Sequence, residues 1–554
     1  MICREYERWS SLATDREISR ELSEMRGDTS RISDAFYRSL EFGTGGLRGI
    51  LGAGTNRMNL YTVTRASVGF AKYALENSGQ KIVIGYDTRI NSHLFAKTAA
   101  TVFASFGLRV YMYSEPLPTP MLSYAVRELS CFGGIMITAS HNPSKYNGYK
   151  VYGSDGCQIT DRAAGEILSW IEQSDYFDLP KESFEYYLSL GMISMLGDDM
   201  LSGFVERVKK TSQLFGEKAD RSIKIVYTPL NGTGRVPVLK ILSESGFSSV
   251  TEVREQSLPD GNFPTCPYPN PELPEALSLG LEYAKRTDSD ILLATDPDSD
   301  RVGVAVRCGE GYRILTGNEV GLLLLEYISS QRSKHSAMPK DPVAIKTIVT
   351  TDLAERIAEK YGVKVFNVLT GFKYIGEKIG ELEAAGRQDS YIFGFEESCG
   401  YLGSDYVRDK DGVYAVFLFS EMAAYCAAHG KSVLQKLDEI YREYGYASSS
   451  LYSYTFEGAE GFEKMKKIMS AFRGEISSFG SLSVTSLKDY STGIDGLPRS
   501  DVLKFSLSGG SGIVVRPSGT EPKIKIYISV TAEDEQTAKK ITEEIKLYAE
   551  KFMK

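Results

Sequence analysis

The sequence predicts an α/β protein of several domains, in which three related α/β units are followed by a separate α+β unit. Three observations support this. The chain has 554 residues, more than one hydrophobic core usually sustains, so it must divide. An order of apolar strand, helix and loop-bearing strand recurs three times before residue 400. Beyond residue 440 that order gives way to paired β segments and a terminal helix.

Residues 16–40 place Ile18, Leu22 and Met25, then Ile32, Phe36 and Leu40, at spacings of three and four. This predicts helix until the glycines of Gly43–Gly49 end the pattern. The first α/β copy follows as KIVIGYD (81–87), a helix near 92–106, LRVYMYS (108–114) and GGIMITAS (133–140). The second runs from IKIVYTPLNGTG (223–234) through a helix near 235–245 to SDILLATD (289–296). The third runs from PVAIKTIVTT (342–351) through DLAERIAEKYG (352–362) and KVFNVLTG (364–371) to SYIFGFEES (390–398). Apolar runs alternating with helices imply buried strands in largely parallel sheets. Each copy ends in an apolar strand that delivers a polar loop: TASHN, TDPDSD or FEES. Ligands bind beyond the carboxyl ends of such strands, so three units could aim three loops at one cleft.

The C-terminal unit has β-like segments near 451–456 and 502–507 and a strand pair around GIVVRPSGTEPKIKIYISV. In its last helix Ala538, Ile541, Ile545, Tyr548 and Phe552 form one apolar face, with Thr531 and Asp534 offering a capping box. Divisions near 205, 312 and 440 give units 1–205, 206–312, 313–440 and 441–554.

Composition excludes several classes. A net charge of −8, from 64 basic and 72 acidic residues, gives no general attraction to nucleic acid or anionic membrane. The opening MICREYERWSS carries charge where a signal peptide needs an apolar run, and no segment reaches the apolar length of a membrane span. A cytoplasmic protein is expected, with no obligate protein partner evident. The seven cysteines are odd in number, scattered and without a C-x-x-C pair, so they read as reduced thiols.

Five segments could carry chemistry. In TDPDSDR, Asp296, Asp298 and Asp300 alternate, so a looped backbone can converge their carboxylates on one hard cation. Oxygen-only ligands favour magnesium, manganese or calcium. A solvated acidic turn is the plainer reading, but the triad directly follows the apolar strand DILLA. Arg301 beside it can contact a phosphate. In ITASHNPSKYNGYKVYG, Ser140 is a nucleophile candidate on a loop after a strand, followed by His141 and, ten residues on, Lys150. An ordinary Ser- or Asx-stabilised turn is the alternative, and the G-x-S-x-G elbow of Ser-His-Asp hydrolases is absent.

RPSGTEPK combines Arg516, Ser518, Gly519 and Thr520, the chemistry of an anion cradle: a guanidinium fork, two hydroxyls and a glycine that bares backbone N–H groups. EFGTGGLRG has a similar make-up, putting Thr44 and Arg48 within reach of a phosphate, and lacks the Lys-Ser/Thr ending of a nucleotide P-loop. GFEES offers Glu396 and Ser398 to sugar hydroxyls, with Arg408 and Lys410 following in VRDKDG.

Taken in this order, the five segments resemble the signature set of the α-D-phosphohexomutase family, over almost the whole chain. The resemblance implies four domains around a central cleft, three α/β with mixed sheets and one α+β. It implies that Ser140 is the phosphorylated nucleophile and that Asp296, Asp298 and Asp300, with the phosphate on Ser140, bind one magnesium ion per chain. It implies that Glu396 and Ser398 read the sugar, and that Arg516, Ser518, Gly519 and Thr520 hold the phosphate not being transferred. Thr44, Arg48, His141, Lys150, Arg301, Thr370 and Lys410 match further cleft positions, with Lys150 and Lys410 as the candidate general acid/base pair. The implied activity is interconversion of glucose 1-phosphate and glucose 6-phosphate through glucose 1,6-bisphosphate, with mannose phosphates as further substrates. The helical leader and RMNLYTV resemble a branch holding bacterial phosphoglucomutases and animal phosphopentomutases, so pentose phosphates are an alternative. A binding protein without turnover and a simple phosphatase are the remaining readings. Cys399 departs from the aromatic residue expected after FEES and would reshape the sugar pocket.

Overall fold

A computed structural model describes residues 2–43, 45–456, 458–518 and 523–553. Among them are four sheets. The first has seven strands, in the order Phe42–Gly43, Gly46–Ile50, Tyr146–Gly153, Gly133–Ile137, Lys81–Tyr86, Arg109–Tyr113 and Ile193–Leu196. The second has five: Gly311–Leu315, Val302–Cys308, Ile291–Thr295, Ile225–Thr228 and Val250–Glu252. The third has four: Lys364–Val368, Val343–Thr347, Tyr391–Glu396 and Gly400–Leu402. The fourth has six strands, all paired antiparallel, from Tyr446–Thr455 to Ser478–Phe479. Helix Asp198–Lys209, strand Gly311–Leu315 and helix Val433–Tyr444 straddle the divisions expected near 205, 312 and 440.

The largely parallel sheets expected from the apolar runs are corrected to mixed ones. In each of the first three sheets the strand that delivers the polar loop pairs in parallel with an interior neighbour. The chain then folds straight back, so that Gly133–Ile137, Ile291–Thr295 and Tyr391–Glu396 each pair antiparallel with the next strand. A short connection permits only this, because a parallel partner would need a crossover of a dozen residues or more. Each polar loop is therefore pinned at both ends by the sheet.

Two local expectations are also corrected. Residues 16–40 form two helices, Arg16–Glu24 and Thr29–Phe36, capped by the Asp15 and Asp28 carboxylates and separated where Gly27 takes φ +85°, a conformation that favours glycine. Asp534 is itself the N-cap of the last helix, accepting from the Thr537 N–H, rather than the third residue of a box begun by Thr531. The leader packs Trp9, Leu22, Met25 and Phe36 onto Tyr61 and Tyr176 of the first unit.

Burial divides the molecule unevenly. Leu122 and Met136 of the first unit, Phe204, Ile225 and Leu293 of the second, and Leu323, Phe393 and Phe417 of the third belong to one contiguous core. The fourth unit has its own core, around Phe472, Phe505, Ile513, Ile526 and Ile545. It meets the third through a small cluster in which Ile348, Val349 and Leu369 accompany Tyr490, Val502, Val514 and Tyr527. All seven cysteines are free thiols. Among the described residues no helix is long and apolar enough to cross a membrane.

Candidate active site

Strand Gly133–Ile137 is buried throughout, so the chain leaves the sheet at Thr138 and places Ser140 at its carboxyl edge. Ser140 is 3% exposed and adopts φ +51°, a left-handed conformation costly for any residue but glycine. Its N–H donates to Thr138 Oγ1 at 2.8 Å. Its hydroxyl donates to Asp296 Oδ2 at 2.9 Å and lies 3.2 Å from His141 Nδ1. The serine of one unit thus meets the first aspartate of the next.

The aspartates converge for a local reason. Asp296 ends the buried strand Ile291–Thr295, and its Oδ1 accepts the backbone N–H groups of Asp300 and Arg301, each at 3.0 Å. This curls the loop so that one oxygen from each of Asp296, Asp298 and Asp300 lies within 4.8 Å of the others. Two lysines flank them from the other units: Lys150 Nζ is 2.9 Å from Asp298 Oδ2 and Lys410 Nζ is 2.8 Å from Asp300 Oδ2. Even so, Asp298 Oδ1 and Asp300 Oδ1 are buried without a hydrogen-bond partner among the described residues. Buried carboxylate oxygens left so are costly, and a divalent cation fits them in charge and in donor type.

Electrostatics follow from burial. Burial drives the Asp296 carboxyl well above its ordinary range, reinforced by Asp298 and Asp300. Burial would do the same to Asp298, but Lys150 beside it holds that carboxyl below its ordinary value. Burial works against both ammonium groups, yet Asp298 and Asp300 raise Lys150, and Asp300, Asp409 and Glu396 raise Lys410. Both lysines therefore stay protonated at neutral pH.

A cationic wall stands beside Ser140. Arg48 reaches Asn142 Oδ1 at 3.4 Å. Its guanidinium is held below its ordinary value by loss of bulk water within the cleft and by the charge of Arg301. His141 is pushed down by burial and then by Arg301 and Arg48, so its imidazole is neutral. Arg301 is ion-paired with Glu272. Two guanidinium groups within electrostatic reach of each other and of the Ser140 loop favour an anion there.

In the third unit Glu396 is 5% exposed and accepts the Gly371 N–H at 3.0 Å. Burial, partly opposed by Lys410, pushes its carboxyl up to about 7. The Thr370 hydroxyl nearby is buried with no hydrogen-bond partner among the described residues. Ser398 is half-buried two positions beyond Glu396. Cys399 is buried, with φ +64°. Arg408 is fully buried and ion-paired with Glu383 at 2.7 Å, a framework role.

In the fourth unit Arg516 is half-buried near the end of strand Gly512–Pro517 and donates to Tyr527 Oη at 3.1 Å. Burial and Glu272 raise the carboxyl of Glu397, next to Glu396, while Arg516 lowers it. The Arg516 guanidinium is therefore within electrostatic reach of the FEES loop. The Ser518 N–H donates to Lys523 O at 2.7 Å. Thr44, Gly519 and Thr520 lie outside the described residues.

Sequence reasoning passed over Thr119, which donates to Asp298 Oδ2 at 2.9 Å, and Asp87 and Arg89, which underpin the Ser140 loop. The last two follow the apolar strand KIVIGY, the same signal that marked the other polar loops.

A serine, an acidic triad and a buried carboxylate from three linked α/β units, with Arg516 near the end of a strand of a fourth, are chemistry suited to an enzyme that handles phosphorylated sugars. The chain belongs to the phosphoglucomutase/phosphomannomutase family, whose models match it as α/β/α domain I over residues 39–177, domain II over 202–309, domain III over 316–444 and the C-terminal domain over 457–547. It is 36% identical over 514 residues to a phosphoglucomutase of Staphylococcus saprophyticus, covering 90% of this chain and 92% of that protein. It is 35% identical over 556 residues to one of Staphylococcus aureus, covering 97% of each. Among solved structures, the Paramecium phosphoglucomutase parafusin matches with a TM-score of 0.70 at 18% identity, over 93% of this chain and 95% of that one.

Proposed function

We propose that this chain interconverts glucose 1-phosphate and glucose 6-phosphate through a phosphate carried on Ser140. The class is given by its family, whose members are intramolecular phosphotransferases. The observation that carries the reading is Ser140 Oγ, 2.9 Å from the Asp296 carboxylate at the edge of the acidic triad.

In the first half-reaction the Ser140 Oγ–P bond breaks and a bond forms from phosphorus to O6 of glucose 1-phosphate, giving glucose 1,6-bisphosphate. The O6 proton leaves to a base, and the bisphosphate turns end for end. The phosphate on O1 then returns to Ser140, O1 is reprotonated, and glucose 6-phosphate departs. Asp296, Asp298, Asp300 and an oxygen on Ser140 would hold magnesium, which supplies charge neutralisation for the transferred group. Arg48 and Arg301 stabilise the same charge from the side of Ser140. Lys150 and Lys410, held protonated by the triad's carboxylates, are placed to donate the returning proton; neutralising those carboxylates lowers the ammonium groups toward the range of a base. Glu396 and Ser398 accept and donate hydrogen bonds to a hydroxyl pair that stays equivalent after the turn. Arg516, with Ser518, Gly519 and Thr520, holds the idle phosphate in both poses.

The test is a coupled assay of the purified chain against glucose, mannose, glucosamine and ribose 1-phosphates, with peptide mass spectrometry after exposure to glucose 1,6-bisphosphate. The expected result is fastest turnover on glucose 1-phosphate and a phosphate on Ser140. A preference for ribose 1-phosphate would move the reading to a phosphopentomutase. Phosphate on another residue, or Ser140→Ala at full rate, would remove the nucleophile assignment.

A further inference from the structure

Ser140 keeps its left-handed backbone because both of its peptide groups are gripped. Its N–H is bonded to Thr138 Oγ1, and its carbonyl accepts from the Arg89 guanidinium. That guanidinium also bonds the carbonyls of Asn142, of Pro143 at 3.0 Å and of Tyr146 at 3.2 Å, so one side chain ties down most of the loop. Asp87 anchors both grips. Its Oδ2 accepts from Thr138 Oγ1 at 2.6 Å and lies 3.3 Å from Arg89 Nε. Its Oδ1 accepts from the Arg89 N–H at 2.9 Å and from Ser92 Oγ at 2.7 Å. Neither the Asp87 nor the Arg89 side chain is exposed at all.

The guanidinium has a second contact, from the next domain. Its Cζ lies 5.0 Å from the ring centroid of Phe263, itself 1% exposed. The Phe263 loop approaches so closely that a Cβ on Gly261 would stand 2.5 Å from Ile90 N. The Asp260 N–H donates to Asn231 O at 3.2 Å, and both the N–H and the hydroxyl of Thr233 donate to Pro297 O. Pro297 sits between Asp296 and Asp298. A continuous chain of contacts thus runs from the serine loop through Arg89 and Phe263 to the backbone of the acidic loop.

We propose that Arg89, fixed by Asp87, is a positioning residue for phosphoryl transfer: it holds Ser140 in the one backbone conformation that aims Oγ at the triad, and through Phe263 it sets the spacing between the two loops. The planar fork serves four carbonyls from two separate nitrogens, which a lysine ammonium, with three donors on one atom, cannot span. The proposal rests on Ser140 being the phosphoryl carrier. The Arg89 side chain is wholly buried and its guanidinium is engaged by backbone carbonyls, so its loss is expected to fall on the transfer step rather than on sugar phosphate binding. A misplacement of about 1 Å costs about a hundredfold in rate.

The experiment is single-turnover transfer to glucose 1-phosphate from full-length chain already phosphorylated by glucose 1,6-bisphosphate. The rate constant per phosphoserine is independent of how much protein is folded, which a merely structural role would not move. For Arg89→Lys the expected transfer constant is about a hundredfold lower, with the half-saturating glucose 1-phosphate concentration within about threefold of wild type. Thr138→Val, nearly isosteric, is expected to slow transfer about tenfold and decides the matter should Arg89→Lys not fold. Phe263→Leu, which keeps every hydrogen bond, is expected to slow it about fivefold. Transfer by Arg89→Lys, or by Thr138→Val in its place, within about twofold of wild type overturns the positioning role while leaving Ser140 intact. A wild-type chain labelled elsewhere than Ser140 overturns the carrier reading, and this proposal with it.

Discussion

Ser140, Asp296, Asp298 and Asp300 are between 0% and 3% exposed, whereas Arg516 and Ser518 are half-buried near the end of one strand pair. The first group is held across domain boundaries, by Lys150 and Thr119 from the first domain and Lys410 from the third. The one described side-chain hydrogen bond of Arg516 is to Tyr527 of its own domain. Three domains contribute to one contiguous core, beside a further core inside the first, whereas the fourth keeps its own, joined by a small apolar cluster and the Lys504–Asp352 ion pair at 3.2 Å. The difference matches two tasks. Transfer demands fixed distances between serine, triad and lysines. Recognition of a phosphate in two poses needs a loop whose domain can settle onto either end of the sugar.

Substitutions can break this division, and the largest effect is expected at the fixed centre. Asp298→Asn should lower kcat by about 10²- to 10³-fold with little change in KM, and chelation of magnesium should reproduce it in the wild type. Circular dichroism should show a folded chain, because the described side-chain partners of Asp298 are polar, Thr119 and Lys150, and an isosteric amide keeps the volume. Retention of activity in chelator would detach the triad from the chemistry.

Glu396 stands between the two regions and gives a pH signature. Burial raises its carboxyl to about 7, so the ionised form, which can only accept hydrogen bonds, prevails above that value and the neutral form below. Sugar hydroxyls are best bound by the ionised form. The advantage of wild type over Glu396→Gln in kcat/KM should be about tenfold above pH 8 and shrink as pH falls through 7. A constant ratio across pH would separate Glu396 from sugar binding.

The smallest effect is expected at the joint. Lys504→Met removes the ion pair to Asp352 yet leaves the apolar cluster, and should raise KM about twofold with kcat unchanged. A fall in kcat with KM unchanged would show that the fourth domain helps to set the transfer geometry.

Much of this arrangement was legible in the residues. TASHN, TDPDSD and FEES stood out because each ends a run too apolar for the surface, and a polar loop there has nowhere to go but the sheet edge. The return strands were hidden: Gly400–Leu402 has three residues, too few to show alternation, and YNGYKVYG reads as a turn as readily as a strand. Lys150 and Lys410 are marked as a candidate acid/base pair only by the family resemblance, since the aspartates they meet lie in another domain. YDTR at 86–89 obeyed the same strand-end rule as the other loops. It was missed because an Asp-Thr-Arg turn has no chemistry of its own; its meaning is the set of carbonyls that Arg89 reaches, and these come from residues 140–146.

The central claim, chemistry in a fixed centre and phosphate recognition in a separate domain, is tested most directly by the steady-state kinetics of Arg516→Ala in both directions. Losing a charge-assisted contact made in ground and transition states alike should remove about 1.5–3 kcal/mol, or about one to two decades in kcat/KM, mainly as a rise in KM. The account predicts the same rise from glucose 1-phosphate and from glucose 6-phosphate, with kcat changed by less than about threefold. An effect confined to one direction, or a fall in kcat with KM unchanged, would contradict it.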